Sequence, residues 1–357
     1  MKIAVIGGGI FGCTAAIYAA RAGHEVVLYE QASSLLSGAS FGNQHRLHEG
    51  YHYPRSPETA RECREGNILF REEYGKAVID GGKHYYAIAN NGSKVTPDEY
   101  LRFCQSLDLP YKHASVGQYM NPEAVELVVE VEEGRISHSE LLGLVEKKLN
   151  ESHVVVKTNT PFSADMSRNY DRVIVAAYAN TNACLAGLPR YDRNRLAQFQ
   201  FEVVEKPVVI MPVSFQSTGI VIMDGEFGCV DPLGSSRFHL LGHVKHAIWH
   251  RNIGLTAEVP YPLIPYMDRG ICTELARSNV AEFIEAGAEH IPALEEAEYV
   301  GSLFTVRAVL PGTDATDERP TLVDVMGKDQ GECRYMRIFS GKIGTCVRAA
   351  QQAVGML

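Results

Sequence analysis

The segment from Arg46 to Arg55 concentrates groups able to move a proton or hold an anion: Arg46, His48, Tyr51, His52, Tyr53 and Arg55. A histidine exchanges protons near neutral pH, its ordinary pKa being about 6.5, so His48 is a candidate acceptor of a substrate N–H or O–H proton. Two residues away, the fork of Arg46 matches a carboxylate bidentately. The hydroxyls of Tyr51 and Tyr53, with His52 beside them, can close such a clamp. Arg55 precedes a helical stretch and has capping that helix as a competing role. Catalytic work is therefore expected of His48, Tyr53 and Arg46, and substrate contact of Tyr51 and His52.

A second cluster, Arg237, His239, His243, His246 and His250, allows two readings. On a helix, spacings of four, three and four would align the histidines as metal ligands. RFHLLGHVKHAIW reads better as a strand containing Gly242, with His239 and His243 on one side and His246 on the other. No carboxylate or cysteine completes a ligand set, so no metal is expected and His239 is a candidate substrate contact.

These groups need elements to hold them. KIAVIG is a short β-branched run suited to a buried parallel strand, FGCTAAIYAARAG a helix ending at Gly23, and EVVLYE the next strand. Gly7, Gly9 and Gly12 form G-x-G-x-x-G at the junction: one glycine for the turn, one for close approach of a pyrophosphate, one for helix–strand packing. Phosphates would sit on the helix N-terminus near Ile10 and Phe11. Glu30, followed by Gln31, ends the second strand, where a carboxylate accepts ribose hydroxyls and repels a 2′-phosphate. FAD or NAD is thus favoured over NADP. A second glycine turn, Gly341-Lys342-Ile343-Gly344-Thr345, opens the last helix and could set N–H groups against the pyrimidine edge of a flavin, which argues for FAD. An ordinary capped helix is the competing reading of that turn.

The 357 residues suffice for two domains. Net charge −9 gives no positive field for nucleic acid or anionic lipid. No apolar run approaches the ~18 residues of a membrane span, and no signal-peptide layout precedes the first strand, so a cytoplasmic protein acting on a small molecule is expected. The eight cysteines, Cys13, Cys63, Cys104, Cys184, Cys229, Cys272, Cys333 and Cys346, form no C-x-x-C and read as reduced packing residues.

With these features read, the chain resembles the D-amino-acid oxidase superfamily of FAD-dependent oxidoreductases, and most nearly its L-2-hydroxyglutarate oxidase and dehydrogenase branch. The likeness rests on SGASFGNQHRLHEGYHYPRSPETARECREG, Ser37 to Gly66. His48, Gly50, Tyr51, Tyr53 and Pro54 follow the branch's pattern, while His52 stands where it has tyrosine or an apolar residue. DRVIVAAYANTN resembles the superfamily's second pyrophosphate-side turn. The resemblance implies FAD contacts at Asn43, Gln44, Ala177 and Asn180, places the His48 loop at the flavin, and makes Arg307, before the C-terminal turn, a candidate carboxylate ligand. Three roles for His48 stand open: proton acceptor, structural histidine, or covalent tether of FAD.

The implied architecture is α/β: a Rossmann-type FAD-binding domain of residues 1–75, 135–197 and 305–357, interleaved with a mostly antiparallel β-rich substrate domain of residues 76–134 and 198–304. The expected reaction is hydride transfer to flavin N5 from the C–N or C–O bond of a small carboxylate-bearing substrate, an amino acid, secondary amine or 2-hydroxy acid. Flavin monooxygenation, whose late Gly-Asp motif is replaced here by VDVMGKDQG, and a non-catalytic FAD-binding protein are the alternatives.

Overall fold

The computed structural model describes the chain except Arg190, Asp314, Ala315, Gln330, Gly331 and Ser340; of Val116, 327–329, Glu332 and Cys333 only the backbone is described. Ser340, which begins the C-terminal glycine turn, and the Cys333 thiol therefore lie outside it.

A six-stranded sheet, the nucleotide sheet, runs in the order 322–329, 332–339, 172–175, 2–6, 25–29, 155–157. Its last five strands pair in parallel and the first joins as an antiparallel hairpin. Both faces are covered. Ile3, Val5, Leu28 and Ile174 pack under the helices Ile10–Arg21, His138–Glu151 and Cys346–Gly355, while Ala4, Val27, Val173 and Val175 pack against Tyr170, Leu185 and Leu188. That explains the unbroken apolar runs of these strands, each such side chain contributing roughly 1.5–3 kcal/mol.

The glycine turn is sterically dictated. Gly7 has φ +108°, and a Cβ there would meet the Ala176 carbonyl oxygen at 2.5 Å; a Cβ on Gly12 would stand 1.9 Å from the Gly7 carbonyl oxygen. Only a bare backbone allows the turn and the close seating of the helix.

A nine-stranded sheet, the floor sheet, is built from 83–89, 112–113, 125–131, 199–210, 218–223, 228–232, 238–243, 248–254 and 298–309. It is antiparallel except where Thr218–Met223 pairs in parallel with Lys83–Ala89. Glu298–Val309 pairs with the preceding long strand from Gln200 to Ile210, so the expected domain boundary at 304/305 falls inside a strand of this sheet. RFHLLGHVKHAIW is not one strand: Phe238–His243 and Ile248–Gly254 are separated by a turn holding His246, whose N–H faces His243 Nδ1 at 3.3 Å.

A three-stranded clasp joins the two sheets: Arg46–Leu47 and Val78–Ile79 flank Gly134–Ile136. The long loop after the second strand is thereby pinned at Arg46, opposite Arg135. Among the described residues no helix is long and apolar enough to cross a membrane.

Candidate active site

Between the sheets runs one cleft of about 1610 Å³, starting at the glycine turn and Glu30 and passing the 34–44 loop to the floor sheet. Pockets for ordinary small ligands hold roughly 300–1,000 Å³, so this one has room for a dinucleotide and a substrate together. At its nucleotide end the Glu30 carboxylate accepts from the N–H groups of Gly8 (2.6 Å) and Ala32 (2.7 Å), leaving further lone pairs for ribose hydroxyls. The helix begins at Ile10, whose N–H donates to Ser40 Oγ at 3.0 Å. A Cβ on Gly9 would meet only Ser40 Oγ, at 3.2 Å, so this position faces open cleft. The features fit the ADP half of FAD.

Gly7, Gly9, Ile10, Phe11, Glu30, Gln31, Asn43, Gln44, Ala177, Asn180, Gly341, Lys342 and Ile343 all line the cleft. Asn43 braces its loop instead of reaching out: its amide donates to the Ala39 and Ser40 carbonyls, and its oxygen accepts from the His45 N–H at 2.7 Å. Gln44 donates to Cys229 Sγ at 3.1 Å. Three expected cofactor contacts lie behind the wall. Gly12 packs beneath Gly7, Gly344 seats against Gly66 of the helix Pro57–Tyr74, and Thr345 Oγ1 bonds Thr321 Oγ1 at 2.7 Å. Those positions dock helices.

The far end is a buried ionic cluster. Arg46 sits 3.0 Å from Asp231 (Nε to Oδ1), 3.2 Å from the Tyr86 hydroxyl and 3.9 Å from Glu133. Glu133, with no exposed side-chain surface, accepts from Tyr86 OH at 2.7 Å and the Glu49 N–H at 3.0 Å, with His48 Nδ1 at 3.5 Å and His84 Nε2 at 3.6 Å. At 3.5 Å the His48 contact is electrostatic rather than a short hydrogen bond. Burial alone would raise the Glu133 carboxyl; His48, His84 and Arg46 outweigh it and hold the group well below the usual range. Burial pushes His48 down to about 4 against the pull of Glu133, so the imidazole is neutral at pH 7 and able to accept a proton. His52 is pushed down and Tyr53 up by the same cause.

His48, His52 and Tyr53 line the cleft together, with ring centroids 5.2–5.8 Å apart, and Lys342 Nζ stands 4.7 Å from the Tyr53 ring centre. Gln44 Oε1, His52 Nδ1 and the Tyr53 hydroxyl are buried without a hydrogen-bond partner. Buried polar atoms in folded proteins are nearly always satisfied, so such orphans facing a cleft mark where a ligand's polar atoms go.

Several expected roles change. Tyr51 turns its hydroxyl away, donating to the Pro110 carbonyl at 2.6 Å. His239 is buried on an inner strand of the floor sheet, between Val209 and Pro232, with Nε2 3.1 Å from the Phe215 carbonyl, outside the cleft. Arg46 lines the cleft with its charge offset by Asp231 at 3.0 Å and Glu133 at 3.9 Å, although its buried Nε has no hydrogen-bond partner. Arg307 lines the cleft, but its Nε donates to Glu202 at 2.6 Å, a carboxylate shared with Arg251 at 2.7 Å. Arg55 pairs with Asp224 rather than capping a helix. His243 faces the cleft, and His250 pairs loosely with Glu258 at 3.6 Å.

Glu133, Asp231, Tyr86 and Lys206 were not anticipated. Lys206 left a visible mark, being one of three charges, with Glu202 and Glu205, inside the largely apolar run FQFEVVEKPVVI. Nothing local distinguishes Glu133 from Glu132 beside it.

A family model described as FAD dependent oxidoreductase, DAO, matches residues 2–189. Glycine oxidase from Geobacillus kaustophilus superposes with a TM-score of 0.70 at 16% identity, covering 99% of this chain and 94% of that one. Dithionite-reduced L-alpha-glycerophosphate oxidase from Mycoplasma pneumoniae, with FAD bound, gives 0.72 at 14%, covering 100% and 94%. At these identities the likeness is one of fold. FAD-dependent monooxygenase kojA from Aspergillus flavus is 35% identical over 109 residues, 29% of this chain and 26% of that protein. A D-amino acid dehydrogenase from Phenylobacterium zucineum is 41% identical over 64 residues, 18% of this chain and 15% of that protein. These alignments span about a quarter or less of the curated relatives' length. With the family match covering more than half of its 357 residues, the chain belongs to the DAO family of FAD-dependent oxidoreductases.

Proposed function

We propose that the enzyme oxidises a C–N or C–O bond adjacent to a carboxylate in a small substrate, an amino acid, secondary amine or 2-hydroxy acid. The observation that carries this reading is the neutral, buried His48 beside the orphaned Tyr53 hydroxyl and His52 Nδ1, at the end of a cleft that begins at a nucleotide-binding turn. Bound FAD supplies the two-electron acceptor that takes a hydride from carbon.

The chain's own residues do the rest. His48 receives the proton from the substrate's nitrogen or oxygen, and Glu133 holds the imidazole and favours the cation that forms. Tyr53 and His52 offer hydrogen bonds to the same end of the substrate. Lys342 lines the cleft, and its ammonium would stabilise negative charge on the bound cofactor, whereas the Gly341 N–H is taken by Thr321 Oγ1 at 3.2 Å.

The test is to load the protein with FAD, exclude oxygen, and add amino acids, secondary amines and 2-hydroxy acids in turn. Bleaching of the flavin band by one class, with the matching imine or keto product, is the expected result; absence of bleaching by all three contradicts the reading. Peroxide on admitting air then separates oxidase from dehydrogenase.

The kojA similarity favours a second reading, monooxygenation. It requires an oxygen atom from labelled O2 in the product, which the first reading forbids.

A further inference from the structure

The cleft contains more cations than a nucleotide alone needs, and most are already matched. Arg46 lies 3.0 Å from Asp231, Arg55 Nη2 3.2 Å from Asp224, and Arg319 3.0 Å from Asp317. Arg251 and Arg307 share Glu202. Lys94 and Arg269 are exposed at the rim. Among the described residues of the cleft two partly buried ammoniums remain: Lys342, over the Tyr53 ring, and Lys206.

Lys206 projects from the middle of the strand Phe199–Ile210, opposite Leu303 of the neighbouring strand. Strand alternation puts it on the face that carries Val204 and Glu202, and it lines the cleft with Val204, Cys229 and Gly242. Among the described residues no hydrogen bond or ion pair ties its ammonium. Its electrostatic neighbours come from every side: Arg307 on the adjacent strand, Cys229 and Asp231 on Gly228–Pro232, and His45 and Arg46 on the loop above. Burial, reinforced by Arg307, pushes the Lys206 ammonium down to about 8. A cation held unpaired in a partly desolvated, like-charged field is costly unless an anion completes it.

We propose that Lys206 is the cation that receives the substrate's carboxylate, while Arg46 and Arg307, each committed to a protein carboxylate, set the surrounding field. This rests on the reading that the substrate bears a carboxylate. A compact ammonium imposes no bidentate plane, so the site selects for charge more than for the carboxylate's orientation.

The test uses FAD-loaded protein titrated with acetate and with uncharged acetamide, followed by perturbation of the flavin absorbance band and by calorimetry. Acetate is expected to bind and acetamide not. Lys206→Met is expected to weaken acetate at least tenfold with FAD content and melting temperature unchanged, Arg307→Met by less than threefold, and Lys206→Arg to retain most binding. Wild-type affinity should fall as pH rises through about 8. Asp231, raised to about 6, and Cys229, raised to about 12, do not titrate there. Lys342 also titrates near 8, so the slope must vanish in Lys206→Arg. If it persists there, or if Arg307→Met loses acetate while Lys206→Met keeps it, the Lys206 assignment falls and the carboxylate reading survives. If the wild-type protein binds acetamide as well as acetate, or neither, the carboxylate reading falls with it. Should Lys206→Met lose its fold, the wild-type and Lys206→Arg pH series decide the matter alone.

Discussion

The two walls of the cleft are built on different principles. The nucleotide wall works with backbone: a glycine turn, a helix N-terminus and one carboxylate, Glu30, held by two N–H groups. The floor-sheet wall works with buried charge, where Arg46, Glu133, His48, His84 and Asp231 lock into one cluster and Glu202 holds Arg307 and Arg251. Backbone recognition tolerates little geometric change and is indifferent to pH. A charge cluster keeps its shape only while its protonation states hold.

The largest effect is expected from breaking the backbone wall. Gly12→Ala puts a methyl 1.9 Å from the Gly7 carbonyl oxygen, and backbone on both sides cannot yield. Overpacking of this kind costs roughly 1–3 kcal/mol or more, and FAD content, read as the ratio of flavin to protein absorbance, should fall close to zero.

The charged wall is sharpened by His48→Gln. Loss of a positioned proton acceptor lowers rates by about 10²- to 10⁴-fold; the rate of anaerobic flavin reduction should drop by that factor with FAD content and melting temperature preserved. An equal loss of FAD would mean that His48 is structural.

Acid should dissolve the same wall. His45 and His48 are held down to about 4 and His84 to about 3 by burial, against about 6.5 in the unfolded chain. The unfolded state therefore binds protons first as pH falls. Stability contributed by these groups is full above about 6.5 and declines as pH drops toward 4, by up to about 1.4 kcal/mol per pH unit for each group. Urea unfolding midpoints between pH 7 and 4.5 measure it; a flat series contradicts the burial of neutral histidines.

Smallest is Glu30→Gln, which nearly keeps the side-chain size but removes the charge and one of the two oxygens that accept from the Gly8 and Ala32 N–H groups. Charge-assisted hydrogen bonds contribute roughly 1.5–3 kcal/mol, so the dissociation constant for FAD should rise about tenfold or more while the reduction rate of the bound form stays unchanged.

The same contrast explains what could be read before any coordinates. The turn at Gly7 and a helical stretch after Arg55, which the structure bounds at Pro57–Tyr74, were legible because proline, glycine and apolar period act within a few positions. The cluster at His48 was legible as residue types but not as partners. Glu133 reaches the Glu49 N–H from 84 positions away, and which of two adjacent glutamates turns inward depends on the clasp pairing. Tyr51 and Tyr53 looked alike in sequence, yet one hydroxyl is spent on Pro110 while the other faces the cleft. Arg46 and Arg307 looked like open carboxylate clamps because Asp231 and Glu202 lie on strands that only the sheet order brings to them.

The central claim, that a neutral buried His48 takes the substrate proton, is met most directly by the pH dependence of anaerobic flavin reduction with the substrate that bleaches fastest. The predicted acid limb lies near pH 4, well below an ordinary histidine, and vanishes in His48→Gln. An acid limb at 6.5 or above, or one that survives that substitution unchanged, would contradict it.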